Sequence, residues 1–504
     1  MAPGIKSLAK DTAIYGLSSM VGRFLNWLLV PLYTYTFASG EYGIVTELYA
    51  VVAIFLVILT YGMETGFFRF ANHERWSDPM QVYTTALLAI VCSSTIFVGG
   101  LFLGLDVWSR WLDCANHPSY IWMLGVTVAL DAFTSLPFAY LRYQRRPVRF
   151  ALLKISGIGL NIFFNLFFIC LLPRVADHPA FSWMVIEDFS VGYIFLANLI
   201  SSVITLFLVL PELKVRWSFS GKLLREMLNY SFPLLILGLA GIMNQSIDKI
   251  IYPHLAEPAE AMSGLGIYGA NYKIAIIMVM FLQAFRFAYE PLIFAINREG
   301  REKSQKSYSD AMKWFIVFAM FIFVSVMMLL DIVRYFISPV YFEGLKVVPI
   351  VMLAELFFGI FFNLSVWYKV SDRTYWGTLF TVLGLAVTLG LNAWFIPIWG
   401  YMGCAWAAFG CYAFMMFCSW IVGRWKHPID YDLKSVFFYI GLGVAIWLGV
   451  YAAVDNLEAY PVLAWLIKIA GIALYVLVVL WKENLTATLR SLTGRLRSQK
   501  APTS

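Results

Sequence analysis

Charge is what this chain has least of. Of its 504 residues only 13% are Asp, Glu, Lys or Arg, against roughly 25% in a soluble domain, which excludes an aqueous globular fold. Histidine is scarce as well, five in all, and His117 and His178 each precede a proline without ligand spacing; no metal site and no cofactor are expected. Of six cysteines, Cys92, Cys170, Cys404, Cys411 and Cys418 lie in apolar segments and only Cys114 lies between them, so no disulfide framework is implied. The seven-residue spacing of Cys404, Cys411 and Cys418 puts them on one helix face as small packing residues. A GxxxxGK[ST] phosphate loop is absent, since Gly221-Lys222 has Arg216 where the first glycine belongs. Long loops are absent too. The longest expected outer one runs from Pro173 to about Asp188, which leaves no room for a nucleotide-binding domain or for the active-site loop of a polysaccharide polymerase. The beginning of the chain shows no short apolar core before a small-residue cleavage site, so the first segment is expected to serve as the targeting signal itself.

What is abundant is apolar surface, 61% of residues. Segments of membrane-crossing length recur at about 12–36, 43–68, 81–105, 119–141, 150–172, 189–210, 229–254, 265–291, 311–337, 346–369, 375–396, 401–423, 436–454 and 461–481. The expectation is an all-α polytopic membrane protein with about fourteen transmembrane helices. Lys and Arg orient it. With the N-terminus inside, 28 of the 37 fall in inner segments, four in outer loops (Arg110, Arg174, Arg334, Lys346) and five within helices, as the positive-inside rule requires. Both termini are therefore expected in the cytoplasm. The net charge of +7 is read as orientation and contact with anionic lipid, not as nucleic-acid binding. The basic turn Arg142 to Arg149 is read the same way.

Polar groups at membrane depth carry the functional signal. In the first segment Tyr15, Ser19, Arg23, Asn26 and Tyr33 fall within an arc of roughly 80° on a helical projection. Arg23 lies about 16 Å along that helix, near the middle of a hydrocarbon layer about 30 Å thick. A charge there costs on the order of 3 kcal/mol, so Arg23 should face a wet cavity or a partner. The seventh segment carries Asn244, Gln245, Asp248 and Lys249, with Lys249 either lining the cavity or snorkelling outward. In the eighth, Gln283, Arg286 and Glu290 form one stripe, with Arg286 and Glu290 four residues apart and mutually neutralising, whereas Lys273 points about 140° away from Arg286. Asp131, among Thr127, Thr134 and Ser135 in the fourth segment, either carries a proton or cation or acts as interhelical glue. Glu355 is the last deep carboxylate, and Lys468 in the last segment is expected to snorkel from a lipid-facing position. Asp430-Tyr-Asp432 has the spacing of a metal–nucleotide-sugar motif. Its loop is only about a dozen residues long, and Asp432 is placed to cap the next helix.

Halfway along, the pattern restarts. Gly43-Ile44 and Tyr49 recur as Gly266-Ile267 and Tyr272, an offset of 223. Asn161 and Asn165 ahead of Pro173, then Gly192-Tyr-Ile-Phe-Leu-Ala197, are echoed by Asn392 ahead of Pro397, then Gly403-Cys-Ala-Trp-Ala407. An even number of helices per repeat keeps orientation, so two parallel six-helix lobes, 1–212 and 213–427, are expected about an axis along the membrane normal. Residues 428–504, with the last two helices and a basic tail, are an appendage.

Together with this architecture, Lys10-Asp-Thr-Ala-Ile-Tyr-Gly-Leu-Ser-Ser19 with Arg23, Asn244-Gln-Ser-Ile-Asp-Lys-Ile250, Gly266-Ile-Tyr-Gly-Ala-Asn-Tyr-Lys-Ile274, Glu290-Pro291 and Tyr431-Asp-Leu-Lys434 resemble the Wzx-type polysaccharide flippases. These belong to the multidrug/oligosaccharidyl-lipid/polysaccharide exporter superfamily. The resemblance covers nearly the whole chain through diffuse patterns of small, aromatic and amide residues. It implies a non-enzymatic transporter of the bacterial plasma membrane that flips an undecaprenyl-diphosphate-linked oligosaccharide to the outer leaflet by alternating access, for O-antigen, capsule or another surface polymer. A polysaccharide polymerase and ligase would then be partners, alongside membrane lipids. Arg23, Lys249, Arg286 and Lys273 would meet the diphosphate; Tyr15, Ser19, Asn26, Asn244, Gln245, Asn271 and Gln283 would meet the sugars. H⁺ or Na⁺ would be the coupling ion, with Asp131, Asp248 or Glu355 as carriers, and the last two helices would hold the polyprenyl tail. Three other readings compete: a cation-coupled multidrug exporter of the same superfamily, which predicts an acidic cavity, a peptidoglycan-precursor flippase, and a polytopic polymerase.

Overall fold

Capping side chains and prolines set where the helices begin. In the computed structural model Asp78 accepts from the Met80 N–H at 2.9 Å with Pro79 in the first turn, and Ser220 accepts from the Leu223 N–H at 3.3 Å. Asp432 accepts from the Ser435 N–H at 3.1 Å, so the Asp-Tyr-Asp sequence ends in a helix cap. Pro118, Pro147, Pro339 and Pro461 open four further helices, where their missing N–H costs nothing. The structure describes residues 15–483 except 17, 19, 77, 297–300, 372, 456 and 458.

Every element among the described residues is helical. Thirteen helices are long and apolar enough to cross a membrane, and they match the second to fourteenth expected segments in order. The first segment begins outside the described residues; its described part, α1, is helical over 20–36 with a break at Leu28. The others are α2 Ser39–Ala71, α3 Pro79–Leu103, α4 Pro118–Tyr143, α5 Pro147–Val175, α6 Gly192–Leu213, α7 Gly221–Leu255, α8 Ala261–Glu290, α9 Ser304–Met328, α10 Pro339–Val370, α11 Tyr375–Trp399, α12 Tyr401–Lys426, α13 Leu433–Val454 and α14 Pro461–Lys482. α2 is broken where Tyr61 and Gly62 take φ of 29° and 71°, and the Gly62 carbonyl, which accepts from the Gly66 N–H at 3.0 Å, also accepts from the Ser231 hydroxyl at 3.4 Å.

Two compact units divide the chain. The first holds the described residues up to Lys273, with Ile337–Val347 and Tyr375–Met415; the second holds Ile274–Phe336, Val348–Thr374 and the described residues from Met416 on. Lipid offers apolar side chains as good an environment as a neighbouring helix does, so association depends on close packing and interhelical hydrogen bonds. In the first unit Phe67, Tyr83, Tyr140, Leu223 and Met227 form a buried core, with the Tyr83 and Tyr140 rings stacked at 4.4 Å. α2 and α8 meet backbone to backbone at their amino-terminal ends. A Cβ on Gly43 would overlap the Met262 carbonyl, a Cβ on Gly266 would overlap the Ser39 carbonyl, and the Ser39 and Ser263 hydroxyls share a hydrogen bond of 2.7 Å. The two glycines that repeat at an offset of 223 are thus reciprocal contacts.

In the second unit α13 and α14 are fastened to α9. Gly443 lies against Met320, the Tyr475 hydroxyl donates to the Val317 carbonyl at 3.0 Å, and Lys313 pairs with Glu483 at 2.7 Å while Tyr439 donates to the same carboxylate. Lys468 departs from expectation. It is not a lipid-facing snorkeller but pairs with Asp331 of the turn after α9, because packing α14 on α9 offers its ammonium a carboxylate that the sequence, 137 positions away, does not announce.

Candidate functional site

Lys249 is held by its own helix and by α8. Its Nζ lies 3.0 Å from Asp248 Oδ1 and 2.9 Å from the Gln245 carbonyl, and sits 4.4 Å above the Tyr272 ring. Tyr268 donates to Asp248 Oδ2 at 2.7 Å. Asp248 is buried and Lys249 12% exposed, so Lys249 neither snorkels nor stands as a bare charge, and Gln245 beside it is exposed. α1 joins the same place: Trp27 donates its Nε1–H to the Lys273 carbonyl at 2.7 Å. Arg23, one turn before Trp27, is exposed, as is Asn26. The Lys249 and Lys273 ammonium groups lie within electrostatic reach of each other. Asp248 thus neutralises Lys249 where α7 and α8 meet.

Arg286 belongs to a different cluster, in the second unit. It lies 4.0 Å from Glu290, which Lys369 of α10 approaches more closely at 3.3 Å. Both cations rest on the Phe362 ring, at 4.6 and 4.4 Å. The expected Arg286–Glu290 pair is therefore a triad, and Lys369 is the member that the sequence does not reveal, because no spacing rule joins positions 290 and 369.

Asp131 is exposed and accepts from Ser202 at 2.8 Å. One turn before Ser202, Asn198 belongs to a hydrogen-bonded chain inside the first unit: Tyr33 to Asn165 at 2.9 Å, Asn165 to the Asn161 carbonyl at 2.8 Å, Asn161 to Asn198 at 2.8 Å, and Asn198 to Tyr49. Lys154 acts on Asp131 electrostatically.

Other residues singled out in the sequence are placed as packing partners. Asn244 is buried, donating to the Thr381 carbonyl at 3.0 Å and accepting from Thr388 at 3.1 Å, which ties α7 to α11. Asn271 is buried and donates to the Ile267 and Tyr341 carbonyls, each at 2.8 Å. Tyr15 packs its ring edge-on against Phe150 at 5.1 Å. Gln283 is half-buried and Glu355 is 4% exposed; Ser19 lies outside the described residues. A carboxylate the sequence reading passed over is Glu47 of α2, fully enclosed at 0% exposure. The signal was available as an acidic residue two turns into an otherwise apolar segment. Among the described residues no three His, Cys, Asp or Glu side chains are grouped to hold a metal ion.

A family model described as "Polysaccharide biosynthesis protein" matches residues 8–297. Among solved structures the fold is similar to "Lipid II flippase MurJ, inward closed conformation", with a TM-score of 0.71 at 12% identity over 94% of this chain and 99% of that one. It is also similar to an inward-facing multidrug resistance MATE family transporter of the MOP superfamily, with a TM-score of 0.65 at 15% identity over 82% of this chain and 94% of that one. An outward-facing MATE structure matches with a TM-score of 0.57 at 15% identity over 84% and 98% of the two chains. No curated protein matches the chain.

Proposed function

We propose, from the premise that this chain belongs to the polysaccharide biosynthesis protein family, transporters of the MOP superfamily, that it flips an undecaprenyl-diphosphate-linked oligosaccharide from the cytoplasmic to the outer leaflet of a bacterial plasma membrane. The observation that carries this reading is the proximity of the Lys249 and Lys273 ammonium groups, with exposed Arg23 one turn from Trp27, whose indole bonds the Lys273 carbonyl. A diphosphate diester bears one negative charge per phosphorus, and Arg23 and Lys273 are the cations proposed to meet it. Lys249 is already satisfied by Asp248 and Tyr272. An Arg guanidinium adds planar, forked hydrogen bonds suited to phosphate oxygens. The exposed amides of Asn26 and Gln245 supply donors and acceptors for sugar hydroxyls, and the polyprenyl tail stays in lipid throughout.

The Arg286–Lys369 pair, bridged by Glu290, offers a second cationic station. By the distribution of Lys and Arg it lies toward the cytoplasm, where the diphosphate would be met first. Lobes 1–212 and 213–427 would rock about the site, with 428–504 beside the tail, and a proton or Na⁺ gradient would drive the cycle. A drug exporter selecting hydrophobic cations would gain nothing from these basic residues, which would repel its cargo.

The test is the leaflet that holds the lipid-linked oligosaccharide, read with an impermeant glycan-labelling reagent on spheroplasts. Cells lacking the gene, and cells carrying Arg23→Ala with the variant present in the membrane, should accumulate inner-leaflet intermediates. Intermediates that reach the outer face but stay short would move the assignment to polymerisation, and unchanged intermediates with lowered drug tolerance would move it to drug export.

A further inference from the structure

α2 encloses a carboxylate that nothing around it satisfies. Glu47 is 0% exposed, and among the described residues neither of its carboxylate oxygens has a hydrogen-bond partner. Other buried acids in the first unit are treated differently. Asp248 takes Lys249 and Tyr268, and Glu212 takes Arg149 at 2.7 Å and Arg146 at 4.0 Å. An ionised carboxylate enclosed without donors costs several kcal/mol, so the enclosed form of Glu47 is the neutral acid.

Its place gives that a use. Glu47 lies one turn beyond Gly43, on the part of α2 that leads away from the seam with α8. Along that seam a Cβ on either Gly43 or Gly266 would overlap the opposite backbone, a Cβ on Gly269 would overlap the Thr46 side chain, and Ser39 meets Ser263. The distribution of Lys and Arg places this seam at the outer side of the membrane, where a transporter that releases cargo outward has to part. Parting it admits water to Glu47.

We propose that Glu47 is a proton-binding site of the transport cycle: it takes a proton from external water while the α2–α8 seam is open, and the seam closes only over the neutral acid. The proton adds to one carboxylate oxygen, no other bond changes, and it returns to water when Glu47 is next hydrated. This rests on the transporter reading above and adds the ion and the residue that receives it.

The loop after the short helix Leu105–Trp111 contributes Asp113, which acts on Glu47 as a like charge, and Cys114, whose thiol burial pushes up to about 12 and so keeps neutral. α7 contributes Asp248 and Lys249, closed on each other, and at its end exposed His254, stacked on Trp111 at 5.5 Å. α8 contributes Tyr268, committed to Asp248, and the turn at the start of α10 contributes Tyr341, whose hydroxyl donates to the Phe37 carbonyl. On α2 itself Glu41 is bonded to the Ala38 N–H and to Ser190. His254→Gln, which removes the imidazole stacked on Trp111, is the background for the test.

The experiment uses the full chain in lipid nanodiscs, with spin labels on Ser39→Cys and Ser263→Cys reporting the seam distance as pH is varied, and infrared spectra reporting protonated carboxylic acid. The expected result is a short distance at low pH that gives way to a longer one as pH rises. Glu47→Gln, which mimics the neutral acid, should stay short throughout and lose the protonated-carboxyl band. A parent distance that does not respond to pH, a Glu47→Gln variant that titrates like its parent, or a band unaffected by the substitution would each overturn the proposal. Because no cargo enters this measurement, its failure leaves the flippase reading standing, and failure of the leaflet experiment leaves the seam result standing.

Discussion

At the scale of single residues, glycine position decides how closely α2 and α8 approach. Gly43 and Gly266 face backbone, which cannot swing aside, whereas Gly40, three residues earlier on α2, has nothing within 4 Å of a would-be Cβ. Gly43→Ala is expected to destabilise the protein by about 1–3 kcal/mol through overpacking, and Gly40→Ala to be neutral or stabilising by up to about 1 kcal/mol through helix propensity. Thermal unfolding of the two variants in the same detergent compares them. Equal effects would mean that the seam does not hold the helices at contact distance. Of these positions the sequence disclosed the repeat of Gly43 at Gly266, but not that the two copies touch each other.

At the scale of elements, α13 and α14 depend on a few polar anchors. Asp432 caps α13, and Asp432→Ala should cost about 1 kcal/mol. The hydrogen bonds from Ser435, side chain and backbone, hold the Asp432 carboxyl below its ordinary value. Its contribution is therefore complete above the ordinary carboxylate range and is lost as pH falls through the lower folded value. An unfolding series in acid should show this small loss in the parent and not in Asp432→Asn. Lys313 and Glu483 are 18% and 14% exposed. Lys313→Met should therefore destabilise more than the double variant Lys313→Met with Glu483→Gln, since the single change strands a largely buried carboxylate. A double-mutant cycle on denaturation midpoints reads the difference. The cap at Asp432 was legible because capping is local, while the Lys313–Glu483 pair was not, its partners being 170 positions apart.

At the scale of the molecule, orientation follows from the side on which Lys and Arg collect. In a cysteine-free background, His178→Cys should react with an impermeant maleimide from outside intact cells, and Lys434→Cys only after permeabilisation. The reverse pattern would invert the proposed direction of transport. The proposed orientation would put the Arg286–Glu290–Lys369 triad inside and the Gly43–Gly266 seam outside, so this labelling also bears on where cargo would enter and where protons would.

The sequence by itself determined the class and the succession of helices, because within a membrane each span must satisfy its own backbone hydrogen bonds and so announces itself as a local run of apolar residues. It also determined the cap at Asp432 and the residence of five of its six cysteines in helices, both local matters. Tertiary structure alone decided which charge meets which: Lys249 over Tyr272, Lys369 on Glu290, Lys468 on Asp331, and Glu47 without a hydrogen-bond partner among the described residues. Those outcomes depend on helix rotation and on contacts far apart in the chain, where a polar residue in an apolar segment looks the same whether it is paired, exposed or enclosed alone.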